Sequence, residues 1–291
     1  MANLRELRDK LNTVKSTRKL TAAMKLVAGV KLRKSEIAAS ASKGYSYGLK
    51  TIMSSIRQDF LDYKPEALTG RDVAKTELII VFFSDKGLCG GFNYNLVKEA
   101  KNAINLAREH NRKVQLLCLC QKAYDTLKHI ISENDDLFLF NDAKKNDISY
   151  QNAQLISDYA LNKFDSGEVD IVTLVYTKYS SAMSKNAVAE QVVPVLQDMA
   201  RSSDSVTIIE PTEKQVLDEL ISCNLTAQIY QALLENYASE QSSRMVAMDN
   251  ATRNADEIIS KLSLKYNRLR QSMITLELVE VISGAESLNQ E

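Results

Sequence analysis

Few residues in this chain are arranged for catalysis. The turn Ser84-Asp85-Lys86-Gly87-Leu88-Cys89-Gly90-Gly91-Phe92-Asn93 follows an apolar run and opens a helical pattern. A glycine-rich loop at a helix N-terminus can cradle phosphate on its backbone amides. The spacing fits neither a P-loop (GxxxxGK, then Ser or Thr) nor GxGxxG, because Lys86 stands before the glycines. A tight turn needing positive φ at glycine is the simpler reading. Cys89 could gain thiolate character at the helix terminus, yet neither His110 nor His129 is placed in sequence to act as its base. Cys118 and Cys120 lie two apart on an expected strand and so face one side, where small apolar side chains pack. Four cysteines and two histidines at these spacings form neither a metal-ligand set nor a disulfide framework. These residues point to no cofactor, no metal and no catalytic group.

The charges are more telling. Net charge is zero, yet residues 1–64 hold 14 Lys and Arg against 5 Asp and Glu, an excess of nine that the rest of the chain cancels. Between Lys10 and Lys34 there are eight basic residues and no acid. An exposed helix is normally stabilised by opposite charges at i,i+4, whereas Lys15 and Lys19 repel. An acidic protein surface is the expected counter-charge. Nucleic acid is disfavoured because no aromatic residue interleaves the run.

These residues must be carried by long helices. From Thr212 to Ser283 there is no proline or glycine, so the segment can run as one helix of roughly 110 Å. Its stripe is Leu220, Cys223, Ala227, Tyr230, Leu234 and Tyr237, then, after a slip near Gln241, Met245, Met248, Thr252, Ala255, Ile259, Leu262, Tyr266, Leu269, Met273 and Leu276. Steps of three and four make a seven-residue repeat, the mark of a left-handed coiled coil. At the far end Ile274, Leu276, Leu278, Val279, Val281 and Ile282 point around nearly the whole circumference, where a surface helix shows one stripe. That end is expected to be enclosed by other chains. The run is too short to span a bilayer and holds Glu277 and Glu280. The N-terminal segment reads likewise as a helix to about Phe60, through Leu4, Leu7, Leu11, Val14, Thr17, Thr21, Met24 and Ala28. Gly29 is a site of close packing or weakness, and Gly44 and Gly48 are possible bends.

Between them the rhythm changes. Apolar runs at Glu77–Phe83, Lys113–Cys120, Leu137–Phe140 and Val169–Tyr176 alternate with helical patterns at Tyr94–His110, Gln121–Ile131 and Tyr150–Phe164. Ala187–Val193 and Val206–Ile209 are candidate edge strands. Alternation implies a largely parallel sheet covered by helices. The expected fold is a Rossmann-like α/β domain, residues 65–211, inserted between helices 1–64 and 212–291. Since one helix enters the domain and the other leaves it, they pair antiparallel. With 45% hydrophobic residues the chain can build such a core. No apolar leader of the secretory kind opens the sequence, so a cytoplasmic location is expected.

Four stretches resemble one family. Ile274 to Ser287 (ITLELVEVISGAES) looks like the C-terminal signature of the gamma subunit of F-type ATP synthases: I-T-x-E, two residues, E, three residues, G-A-x-S. SEQSSRMVAMDNATRNA (Ser239 to Ala255), SDKGLCGGFN (Ser84 to Asn93) and KLTAAMKLVAGVKLRKS (Lys19 to Ser35) are similar to the same family. The resemblance implies a non-catalytic rotor shaft inside a ring of three alpha and three beta subunits. Its globular part would hold the epsilon subunit and the membrane rotor ring of c subunits. It would touch no nucleic acid, and a membrane only through the complex. By motif, Lys19 and Met24 fall where the N-terminal helix meets the beta ring. Arg244, Gln271, Thr275, Glu277 and Glu280 fall on coupling positions of the C-terminal helix. Lys25 replaces a frequent acid and Gly29 a common alanine. The cysteine insertion of chloroplast relatives is absent and no transit peptide precedes Asn3-Leu4-Arg5, so a bacterial-type protein on the inner face of the plasma membrane is expected. A coiled-coil adaptor gripping varied clients, or a phosphate-handling enzyme centred on Lys86, would differ in showing no preference for a six-membered ring or in binding nucleotide alone.

Overall fold

A computed structural model describes residues 2–55, 63, 65–132, 134–140, 148–179, 181, 185–195 and 212–288. The elements are α1 (Ala2–Ser55), α2 (Glu66–Thr69), β1 (Thr76–Val81), α3 (Phe92–Glu109), β2 (Lys113–Cys118), α4 (Gln121–Leu127), β3 (Asp136–Leu139), α5 (Tyr150–Asp165), β4 (Ile171–Tyr179), β5 (Lys185–Val193) and α6 (Glu213–Leu288). They fall into two compact units, Gly29–Ser243 and the pairing of Met1–Ala28 with Arg244–Glu291.

In the first unit five strands lie in the order β3-β2-β1-β4-β5. The first four are parallel and β5 runs antiparallel to β4. Side chains alternate across a strand. Leu78, Ile80 and Phe82 therefore meet α5 and α6 on one face, while Ile79 and Val81 meet α3 and α4 on the other. Burial on both faces is why these strands read as continuous apolar runs. Each large side chain so enclosed contributes about 1.5–3 kcal/mol. α5 is started by Ser149, whose hydroxyl accepts the Asn152 N–H at 3.3 Å.

The amino edge of the sheet is held by ions. Asp170 accepts from Arg71 (2.8 Å) and from the backbone N–H of Lys75 (2.7 Å) and Thr76 (2.9 Å), and Glu77 accepts from Arg112 (3.1 Å) and Thr173 (2.6 Å).

Several boundaries move. The second strand stops at Cys118 rather than Cys120, because Cys120 caps α4 in extended conformation, and α4 ends at Leu127 rather than Ile131. β5 begins two residues earlier than expected, and the four-residue α2 went unforeseen. The expected strand Val206–Ile209, and the reach of α1 from residue 56 to Phe60, lie outside the described residues. α1 runs unbroken through Gly29, Gly44 and Gly48.

The largest correction concerns α6. Its early part carries no single seam. Leu217, Ile221, Leu225, Ile229 and Ala232 belong to the sheet core, while of the expected stripe Ala227 and Leu234 are buried and Leu220 and Tyr230 pack at the margin of that core. Met53 of α1 joins the same core. A helix covering a sheet is apolar over a broader arc than a two-helix seam requires. The heptad reading holds in the second unit. There Met248 and Ala255 are buried and Met245, Thr252, Ile259, Leu262, Tyr266, Leu269 and Met273 half-buried, opposite buried Leu7, Thr21 and Ala28 of α1. Leu276 and Thr17 depart from it, being exposed.

Candidate functional site

The helix pair of the second unit is antiparallel, as its cross-links show. The Thr21 and Thr252 hydroxyls meet at 2.8 Å, the Lys25 ammonium donates to Asp249 at 2.6 Å, and the Arg18 guanidinium pairs with Asp256. Arg253 also grips Asp249, at 2.7 Å. Lys25 holds the Asp249 carboxyl below its ordinary range, helped by Arg253 and opposed by partial burial. These pairs correct the view that all counter-charge for the basic run comes from outside. Two of the eight cations are met across the pair, and Lys10 is met by Glu6 at 2.6 Å. Asp249 and Asp256 lie over two hundred residues from their partners, beyond any i,i+4 test. A signal was nonetheless present, since Arg18 and Lys25 are seven apart, as are Asp249 and Asp256, one heptad on each helix.

What remains of the run faces solvent. Among the described residues, Lys15, Lys19, Lys31, Arg33 and Lys34 are exposed and form no ion pair. Leu20, Leu26, Val27 and Val30 are exposed on the same helix. Of the named contact candidates, Lys19 is exposed, Met24 half-buried and Arg244 buried. Gln271, Thr275, Glu277 and Glu280 are all exposed. The Thr275 hydroxyl turns back to the Gln271 carbonyl at 2.9 Å.

Around those last four lies the apolar end of α6. Ile274, Leu276, Leu278, Val279, Val281 and Ile282 are 48–69% exposed, so nothing in the described chain covers them. Six large apolar side chains wetted around one helix form a surface suited to another protein. Among the described residues no helix is long and apolar enough to cross a membrane.

The glycine turn is closed by its own residues. The Asn93 side chain accepts the Ser84 N–H and donates to the Ser84 carbonyl, both at 3.2 Å, and the Ser84 hydroxyl donates to the Lys86 carbonyl at 2.6 Å. Positive φ falls at Gly90 (61°), as a tight turn requires, and also at Leu88 (64°). Cys89 and Cys118 are buried in the sheet core with Cys120 half-buried beside them. Burial, with Cys120 adding, pushes the Cys118 thiol up to about 12. Among the described residues no group of three or more His, Cys, Asp or Glu gathers to hold a metal ion.

The hairpin β4–β5 was missed as a contact element. At its tip the Tyr179 hydroxyl donates to Glu36 of α1, and Lys185 donates to the Ser243 hydroxyl of α6 at 3.2 Å. Burial and Glu36 push the Tyr179 phenol up to about 12, and burial lowers the Lys185 ammonium.

Comparison with known proteins covers the whole chain. The family described as ATP synthase matches residues 3–288. An ATP synthase gamma chain of Sinorhizobium medicae is 38% identical, covering 99% of this chain and 100% of that one. Those of Pelagibacter ubique and Paracoccus denitrificans are 39% identical with the same coverage. In fold, the chain is similar to one from the rotor of Euglena gracilis mitochondrial ATP synthase (TM-score 0.61, 19% identity, 94% of this chain and 99% of that one). It is also similar to one from the central stalk and c-ring of the Tetrahymena thermophila enzyme (0.60, 24%, 80% and 99%). With the relatives matched end to end at this identity, the chain belongs to the ATP synthase gamma chain family.

Proposed function

We propose that the chain is the central-stalk rotor subunit of an F-type, proton-translocating ATP synthase. It is non-catalytic and couples rotation of a membrane ring of c subunits to conformational change at sites on beta. The observation that carries this is the end of α6, apolar on every side and covered by nothing in the described chain, on a helix whose other end is built into a sheet core. A helix end of that kind suits a sleeve formed by three alpha and three beta subunits. The exposed cations of α1 suit acidic segments of beta. The α/β part, residues 65–211 between helices 1–64 and 212–291, would hold epsilon and the c ring. A rotor biases a site only by touching its conformers unequally. Lys19, Met24, Arg244, Gln271, Thr275, Glu277 and Glu280 are the residues assigned to that unequal contact. The subunit is a peripheral part of a membrane complex, and we place it on the cytoplasmic face.

The test is reconstitution. The purified chain should hydrolyse no ATP, yet restore cooperative hydrolysis when mixed with its cognate alpha and beta subunits. Independent, non-cooperative hydrolysis in the mixture would overturn the reading.

A further inference from the structure

β4 outlasts its neighbour. β1 ends at Val81, opposite Val175, and the Phe82 N–H reaches the Val175 carbonyl at 3.0 Å before the chain turns away. β4 continues to Tyr179, with Thr177 opposite Ala187 of β5 on its other side. By the two-residue period, the Thr177 N–H and C=O point where β1 would have continued. Thr177 is 4% exposed, so water cannot freely serve these groups, and buried backbone groups left unpaired are costly.

α6 serves them instead. The Asn236 side-chain oxygen accepts the Thr177 N–H at 3.0 Å, and the Ser239 hydroxyl donates to the Thr177 carbonyl at 3.2 Å. Asn236 and Ser239 are 6% and 0% exposed and three apart, hence on one face of the helix. The helix thus completes the ladder that the strand abandons, with one acceptor and one donor. Apolar contact is non-directional and sets a helix's rotation only to within its broad apolar arc. Two opposed hydrogen bonds to the backbone of one residue set it more narrowly.

We propose that Asn236 and Ser239 are positioning residues that key α6 to the sheet and fix its rotational setting, so that torque reaching the α/β unit passes into α6 without slip. The role in torque rests on the rotor reading, whereas the key itself does not.

Two measurements separate them. In the assembled complex, Asn236→Leu should speed hydrogen exchange at the Thr177 amide about fivefold or more, the worth of one net hydrogen bond, with β1 and α3 amides unchanged. Unchanged protection at Thr177 overturns the key. In vesicles carrying the complex, Asn236→Leu with Ser239→Ala should lower the number of protons pumped per ATP hydrolysed, while Ser239→Thr, which keeps the donor, holds the wild-type ratio. If that double variant fails to assemble, Asn236→Leu is measured alone, and a wild-type pumping ratio in it overturns the torque role. A wild-type chain that confers no coupling overturns the rotor reading and the torque role together, leaving the exchange result to judge the key.

Discussion

Asp170 shows how one carboxylate ties several segments at the amino edge of the sheet. Burial alone would raise its pKa. The Arg71 guanidinium and the N–H groups of Lys75 and Thr76 outweigh that and hold it below the ordinary carboxylate range. The folded value lies under the unfolded one, so the stabilisation is complete above pH about 4 and is lost as pH falls towards the depressed value. Asp170→Ala should therefore cost about 2–3 kcal/mol in urea unfolding at neutral pH. The gap should narrow at pH about 3, and a gap independent of pH would contradict the charge argument. Cys118 gives the opposite case, a thiol that burial keeps protonated. Iodoacetamide at pH about 8 should leave it unmodified in the native chain and label it once urea is added. Sequence spacing identified the Cys118 environment, since a strand two-repeat places it inward. It did not identify Asp170, whose partners Arg71 and Lys75 lie some hundred residues away.

Among the elements, strands and long helices were legible because each obeys one period over many residues. Where an element serves two surfaces the period blurs. The early part of α6 faces a sheet through Leu217, Ile221 and Leu225, and at Lys43–Glu235 (3.8 Å) it also meets α1, so a heptad drawn through Leu220 and Tyr230 misses the core residues. α2 was invisible since four residues carry no period. Gly44 and Gly48 did not interrupt α1, because a helix held by packing tolerates a poor propensity. A Cβ added at either meets nothing within 4 Å. Gly44→Ala should accordingly raise unfolding free energy by about 0.5–1 kcal/mol; a loss of stability would reveal a contact that the free space does not predict. The far end of α6 behaves in the opposite sense. Since Ile274 to Ile282 are exposed, ending the chain before Ile274 should shift the melting temperature of the sheet unit by less than about 2 °C. It should, however, weaken assembly with alpha and beta.

For the molecule as a whole, the informative quantity was the segregation of charge rather than its zero sum. Read from sequence alone, the entire basic run belongs to a partner, whereas the helix pairing claims Arg18 and Lys25 for the chain itself. The exposed remainder, Lys15, Lys19, Lys31, Arg33 and Lys34, still favours an acidic partner. Docking onto alpha and beta should then slow as salt is raised from about 50 to 500 mM, since Debye screening shortens to a few ångströms. A rate indifferent to salt would remove these cations from the encounter.

The core of the sheet is closed by Leu217 to Ala232, residues that leave the ribosome after all five strands. During synthesis the face formed by Leu78, Ile80, Val172 and Leu174, covered only in part by α5, must wait for the stretch that completes its shelter. A nascent chain halted after residue 211 carries the five described strands with α3, α4 and α5 but lacks the α6 part of that face's cover, so it should be retained by chaperones or precipitate. The order of translation thus makes the C-terminal quarter of the polypeptide decide whether the earlier three quarters ever become a stable body.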